Sequence, residues 1–338
     1  MNALKTSLEY SHFPVMLKEV INICSPTSGG KYIDCTFGGG GYTKEILKFP
    51  NTKVIALDRD ITTEAEAKKM KKKYPDRFFF YNERFSNLEN ILNNNTMPDS
   101  IIFDLGMSSF QLLDMSRGFS FKSTDTIDMQ MGLSSQSAEE IINNYDENYL
   151  KLIIKILGEE KEASKIARNI VLARKVKKIS KVSELVKIIE RSKKKNYKKK
   201  INVCTKTFQA LRIFVNKETT ELIEGITKAT KFVKAGGKII IVSFHSIEDK
   251  IVKFYFSNYS QNRSKPSRYI PIVEQSKNIF FENYRNKFLI PTDQEIKRNP
   301  PSRSAKLRFV VRNKEIFYDP SDLKIKFKKY LDLESLNA

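Results

Sequence analysis

Apolar and β-prone residues gather in short runs through the first hundred positions: Lys31 to Phe37, Lys53 to Asp58, Arg77 to Tyr81 and Ser100 to Leu105. Segments such as Thr62 to Tyr74 lie between them with the spacing of helices. Strand alternating with helix predicts an α/β fold, a mainly parallel sheet covered on both faces, with ligands at the carboxyl ends of the strands. After about Gly106 the alternation lapses into a polar and then a helical stretch. It resumes with a helix carrying Phe208, Leu211, Val215, Leu222 and Ile226 and with the strand Lys238 to Phe244, and the run Leu307 to Val311 supplies a closing strand. The economical division is one α/β domain in two parts, 1–112 and 205–338, interrupted by a helical insertion over 113–204. No internal repeat is visible.

Composition sharpens this picture. The chain has 338 residues, of which 40% are apolar and 23 are Phe, enough for a real core. A disordered tail is excluded. No run approaches the roughly 18 to 20 apolar residues of a membrane span, and the start lacks the apolar centre of a signal peptide, so the expected location is cytoplasmic. Cys24, Cys35 and Cys204 are odd in number, far apart and in no C-x-x-C pair, which argues against a disulfide framework or a zinc ribbon.

Sixty Lys and Arg against 39 Asp and Glu leave a charge of +21. A bias towards Lys, Asn and Ile, with no Trp, can arise from AT-rich coding alone. Yet the excess is local: Lys161 to Lys200 holds sixteen Lys and Arg against three Glu, a net of +13. Ala163, Ile166, Ala167, Ile170 and Val171 fall there at helical spacing, which predicts amphipathic helices with a basic exterior. The tract Lys193 to Lys200 reads equally as a solvated linker or a phosphate clamp. Polyanions, nucleic acid before an acidic membrane, are the partners this charge attracts.

The strongest local feature is Asp34-Cys-Thr-Phe-Gly-Gly-Gly-Gly-Tyr-Thr, directly after the first strand. Four glycines let backbone approach a ligand closely, and a following helix start favours an anion, so a nucleotide-like ligand is expected rather than a mere connector. It is not a dinucleotide fingerprint, because Thr43 stands at the last glycine position, nor a P-loop, because Gly41 is followed by Tyr42. Asp58 ends the second strand and can accept both ribose hydroxyls of an adenosine; the alternative, a helix cap, is already offered by Asp60, Thr62 and the capping-box pattern Thr63-x-x-Glu66. Asp104 ends the fourth strand beside Gly106, Ser108 and Ser109 and faces the same crevice, although a turn-forming Asp would look similar. His245, just past the strand at 238–244, can serve as a base, bond a base edge or make a structural hydrogen bond. His12 reads as a capping or packing residue. Two histidines so distant, with no carboxylate–histidine pair evident, speak against a metal. No cysteine follows a proline at the end of the fourth strand, where attack on a pyrimidine ring would need one.

The ordered series HFPVM, DCTFGGGGYT, ALDRD, FDLGMSSFQ, RGFSF, DMQM, TKTFQALRIFVNKE, VSFHSIEDKIVK and NPPSRSAKLR, from His12 to Arg308, resembles the RsmH (MraW) family, which methylates the exocyclic N4 of a decoding-centre cytosine in bacterial 16S ribosomal RNA. The resemblance implies a class I S-adenosylmethionine-dependent methyltransferase with an inserted helical domain, acting on 16S rRNA or the small subunit, with no membrane partner; it leaves the oligomeric state open, a homodimer included. It implies cofactor contacts at Gly40, Gly41, Tyr42, Asp58, Phe85, Asp104 and Gln111. Tyr42 stands where many members have His and Phe110 where many have Pro. Asp104 with Ser108 and Ser109 is the expected holder of the target amine, with His245 as a further catalytic position, and the Asp-Pro-Pro-Tyr motif of many amino-methyltransferases is absent. The alternatives are an RNA-binding assembly factor that kept the fold without catalysis and a nucleotide-dependent oxidoreductase.

Overall fold

The computed structural model describes residues 14–93, 96–193, 202–260, 279–282 and 284–336. Helix α1 (Leu17–Cys24) precedes β1 (Lys31–Asp34), α2 (Gly41–Ile46), β2 (Lys53–Asp58), α3 (Glu64–Lys73), β3 (Phe78–Asn82) and β4 (Ser100–Asp104). Helices α4 (Ser109–Leu113), α5 (Ala138–Asn144), α6 (Glu147–Ile156), α7 (Ala163–Val176), α8 (Val182–Ser192), α9 (Thr205–Asn216) and α10 (Glu218–Phe232) follow before the sheet resumes. The chain then runs through β5 (Lys238–Ser243), α11 (Ser246–Asn258), α12 (Asp293–Arg298), β6 (Lys306–Val311), α13 (Ser321–Lys326) and α14 (Lys328–Glu334).

The sheet order is β3-β2-β1-β4-β5-β6, parallel except for β6, which runs antiparallel along β5. Every run read as a strand in the sequence is one, to within a few residues. The central strands are buried on both faces: Ile101, Ile102 and Phe103 are wholly inaccessible, as expected of parallel strands sandwiched by helices. Order reverses at β1, which has β2 on one side and β4 on the other, so the chain ends of β1, β2 and β4 open into one crevice.

The insertion is helical, with Ala163, Ile166, Ala167 and Ile170 forming the buried stripe of α7. Its apolar side chains and those on one face of the sheet make one continuous cluster, from Ile33 and Phe103 to Ile153 and Leu185. Lys165, Arg168, Lys175, Lys187 and Arg191 are exposed on α7 and α8, so the exterior is basic. The tract 194–200 lies outside the described residues, as does His12.

Two local expectations are corrected. The helix spanning Phe208 to Ile226 is two helices, broken at Lys217 with φ +49°. The break lets the buried Asn216 side chain receive hydrogen bonds from Met131 N (2.8 Å) and Ser134 Oγ (2.9 Å) and donate to Met129 O (2.8 Å) and Arg212 O (2.8 Å), which locks the loop 129–134 against the sheet domain. The capping box at Thr63 does not form; the Thr63 hydroxyl donates to Asp60 O, and it is the Asp60 carboxylate that accepts from Thr62 N. Glu334 of α14 accepts from Thr219 N and Thr220 N at the start of α10, a carboxylate at the positive end of a helix, although burial pushes its pKa up to about 7. Among the described residues no helix is long and apolar enough to cross a membrane.

Candidate active site

At the carboxyl ends of the strands lies a cavity of about 1100 Å³, including its open mouth. Its near end is built by the loop after β1. Gly40 has φ +72°, and a Cβ there would stand 2.7 Å from the Phe37 ring, so the loop folds this tightly only without a side chain. Helix α2 has six residues, so the loop contributes shape more than a helix dipole. Asp58 closes the loop's far side, its carboxylate accepting from Gly38 N at 2.7 Å and Asp60 N at 2.9 Å. Burial pushes its pKa up to about 6 against these two hydrogen bonds. Asp58 caps no helix; it braces the glycine loop and lines the cavity. Phe85 lies edge-on to Phe103, with centroids 5.3 Å apart, and it seats there because position 225 is glycine: a Cβ would lie 2.5 Å from the Phe85 ring.

Asp104 occupies the middle. Its backbone N donates to Thr36 Oγ1 (2.7 Å), and the Tyr42 hydroxyl, which donates to Val15 O, stands 3.3 Å from Asp104 Oδ2. Tyr42 therefore lies beside the carboxylate in a buried position. Oδ1 is buried and has no hydrogen-bond partner among the described residues. Burial, the nearby Asp34 and the more distant Glu248 and Glu295 push the Asp104 pKa up to about 8, against the pull of Tyr42. Ser108 lines the cavity but spends its hydroxyl capping α4, accepting from Gln111 N, while Gln111 Oε1 accepts from Ser108 N. The other end of Gln111 donates to Asp60 Oδ2 at 2.7 Å, a carboxylate that Arg117 also reaches at 2.6 Å. Gln111 thus ties α4 to the end of β2. Ser109 begins α4 by its backbone.

The remaining wall went unread in the sequence. Glu218, Glu221 and Leu222 of α10, Glu248 of α11, Phe244 after β5, and Asn299 and Pro301 before β6 all line the cavity, with Arg59 and Arg84. Glu221 Oε2 and Arg59 Nε are, like Asp104 Oδ1, buried without a partner among the described residues, so this wall carries polar atoms able to bond a ligand. Most of these residues stand inside the motifs quoted above; what the sequence lacked was any sign that segments this distant converge.

His245 sits beside this wall. Its ring is within 3.1 Å of Glu248 Oε1 and 4.0 Å of Glu218 Oε2, and it begins α11. Burial disfavours its charge, but Glu248 and Glu218 outweigh it and push the pKa up to about 9. The 3.5 Å contact from Glu248 N to Nδ1 needs an unprotonated nitrogen and is too long to compete with these pairs. A carboxylate–histidine set does therefore exist, contrary to the sequence reading, and Glu248 one turn after His245 was its signal: the three ligand groups lie within 4.8 Å of one another. Arg212 holds Glu218 by two hydrogen bonds of 2.7 and 2.8 Å, so a guanidinium and an imidazolium already match the two carboxylates. All three cysteines are buried free thiols whose pKa burial pushes up, Cys24 to about 12 and Cys204 to about 11; Cys35, which lines the cavity, is raised in the same way. None is an activated nucleophile.

A sequence model of the MraW methylase family matches residues 9–313. The chain belongs to this family. A ribosomal RNA small subunit methyltransferase H from Ehrlichia ruminantium (strain Welgevonden) is 40% identical over 305 residues, 89% of this chain and 99% of that protein. A protein of the same name from Wolbachia sp. subsp. Drosophila simulans (strain wRi) is 41% identical over 305 residues, again 89% and 99%. Among solved structures, an rRNA methylase from Streptococcus thermophilus aligns with TM-score 0.39 and 9% identity over 86% of this chain and 92% of its own. The MraW methylase fold here is the class I, Rossmann-like arrangement, and its cofactor is S-adenosylmethionine. The cavity suits that group: Gly38 of the glycine loop on its wall, a carboxylate at the end of β2, an aromatic edge at Phe85 and, at Asp104 Oδ1, a carboxylate oxygen without a partner among the described residues.

Proposed function

We propose that the protein methylates the exocyclic N4 of a decoding-centre (P-site) cytosine of 16S rRNA in the cytoplasm, with the assembling or assembled small subunit as substrate. The carrying observation is Asp104: a carboxyl midway along the cavity, 3.3 Å from the Tyr42 hydroxyl, with Oδ1 buried and without a partner among the described residues. Bound S-adenosylmethionine supplies a sulfonium methyl, an electrophile that needs in-line attack and no covalent enzyme intermediate. The glycine loop at Gly40 and Gly41 would hold its amino-acid part, Asp58 its ribose hydroxyls and Phe85 its adenine.

The amine is a weak nucleophile because its lone pair is delocalised into the pyrimidine. Asp104, ionised beside a cation, accepts one amine hydrogen and so localises that lone pair. When the N–C bond has formed and the neighbouring positive charge is gone, burial restores the carboxyl's pull on a proton, and Asp104 takes the one the amine must lose. Orientation supplies much of the acceleration, with roughly 7 to 11 kcal/mol accessible to well-aligned reactants. Gln111 and Ser108 act at one remove by fixing the loop between Asp104 and Asp60. The basic faces of α7 and α8, with Lys297, Arg298 and Arg303 near the cavity mouth, would hold phosphates. Incubation of undermethylated small subunits with labelled S-adenosylmethionine, followed by nucleoside mass analysis, tests the reading. Label on cytosine N4 is expected; label on carbon 5, on a ribose, or nowhere refutes it.

A further inference from the structure

The cavity is longer than its cofactor end. Strand order places β2, β1, β4 and β5 side by side at about 4.8 Å spacing, so β2, which Asp58 ends, and β5, which Phe244 follows, are about 14 Å apart as strands, with Asp104 at the end of β4 between them. The glycine loop, Asp58 and Phe85 account for the β2–β1 side. The β4–β5 side has walls of its own, made by Phe244, Asn299 and Pro301.

These walls are held by hydrogen bonds and by proline. Phe244 N donates to Glu248 Oε2 at 2.8 Å, and the half-buried ring packs towards Gly106, where a Cβ would be 3.7 Å from its Cδ2. The turn at 300–304 starts with two prolines, and Asn299 O accepts from both Ser302 N (2.9 Å) and Ser302 Oγ (2.7 Å), with Ser302 buried. The antiparallel register Ser243↔Lys306 brings that turn beside Phe244. Met16 N donates to Glu295 Oε1 at 2.6 Å and holds α12 over the same end. A half-buried aromatic ring and a proline-stiffened turn, lining the same cavity as Asp104, whose Oδ1 has no partner among the described residues, are suited to a flat, unstacked base.

Resting on the function proposed above, we propose that Phe244 and the Asn299–Pro301 turn form the target-base clamp, the pyrimidine stacking on the Phe244 ring so that its amine meets Asp104. Phe244 is then a substrate-contacting residue that selects for a planar ring. The test compares Phe244→Leu, which keeps apolar bulk but loses the π-face, with Phe244→Tyr, which keeps it, on undermethylated small subunits. Phe244→Leu is expected to lower kcat/KM for the subunit about 10- to 100-fold. Phe244→Tyr should stay within about threefold of the parent, and S-adenosylhomocysteine affinity by calorimetry should stay within about twofold in both. Pro301→Ala, at an exposed position, should lower the same ratio with unchanged cofactor affinity. Unchanged kcat/KM in Phe244→Leu, failure of Phe244→Tyr to restore it, or a parallel loss of cofactor affinity would each overturn the clamp. Nucleoside mass analysis of the parent reaction separates the two readings: label away from N4 sinks the N4 assignment, whereas label on N4 with an indifferent Phe244 sinks only the clamp.

Discussion

Asp104 shows how one residue's surroundings set its chemistry. In the free protein its pKa of about 8 keeps most molecules protonated at pH 7, and a bound cation would reverse that. Binding of S-adenosylmethionine should therefore release a proton, and its affinity should climb between pH 6 and 8 and then level. S-adenosylhomocysteine, with a neutral sulfur, should show a flatter profile. Calorimetry in buffers of different ionisation enthalpy counts the proton directly; equal pH dependence for the two ligands contradicts the assignment. Asp58→Ala removes both the ribose acceptor and the brace on Gly38, and a loss of about 2 kcal/mol or more in cofactor affinity is expected by titration. His245 behaves oppositely to a raised carboxyl. Its pKa rises from 6.5 to about 9 on folding, so its ion pairs contribute fully below about pH 6.5 and that contribution is lost as pH rises through about 9. The gap in urea midpoint between the parent and His245→Asn should narrow over that range. The positions of Asp58 and Asp104 were legible because a carboxylate that ends a parallel strand has one place to face. Tyr42 and Gln111 were visible as positions only, since their side-chain partners, Asp104 and Asp60, come from other strands.

Elements were read well where period and length agreed and poorly where a tertiary contact broke the pattern. The strands and α7 declare themselves by runs and by 3–4 spacing. The division between α9 and α10 does not, because Phe208 to Ile226 keeps its apolar rhythm across the break and the contacts that go with it come from the loop 129–134. Asn216→Ala would leave the Met131 N–H and the Met129 carbonyl buried and unmatched, at a cost of about 2 to 4 kcal/mol. Urea unfolding measures it, and a change under about 0.5 kcal/mol would mean that the loop does not depend on this plug. Since α10 presents Glu218, Glu221 and Leu222 to the cavity, the same variant should also weaken methylation.

Across the whole molecule, +13 of the charge of +21 falls between Lys161 and Lys200. Replacing Lys165, Arg168 and Lys175 by Glu should weaken subunit binding and flatten its salt dependence by about one unit of slope for each phosphate no longer neutralised, with cofactor affinity unchanged. Filter binding across a salt series tests this. An unchanged slope would place the RNA on another face.

The insertion also bears on how the sheet is assembled. Strands β4 and β5 pair along Ser100↔Lys238 to Asp104↔Val242, yet the whole stretch from 105 to 237 separates them. Joining ends across a flexible tether of that length costs about 4 kcal/mol of chain entropy before any contact compensates. If α6, α7 and α8 pack first, as their local contacts favour, the tether shortens and the two strand ends are delivered together. Ile166→Ala, in the buried stripe of α7, should then slow refolding more than it speeds unfolding in stopped-flow measurements, whereas a core truncation on β6 should do the reverse. The helices that would grip RNA in the finished enzyme would then act earlier as the scaffold on which its two half-sheets meet.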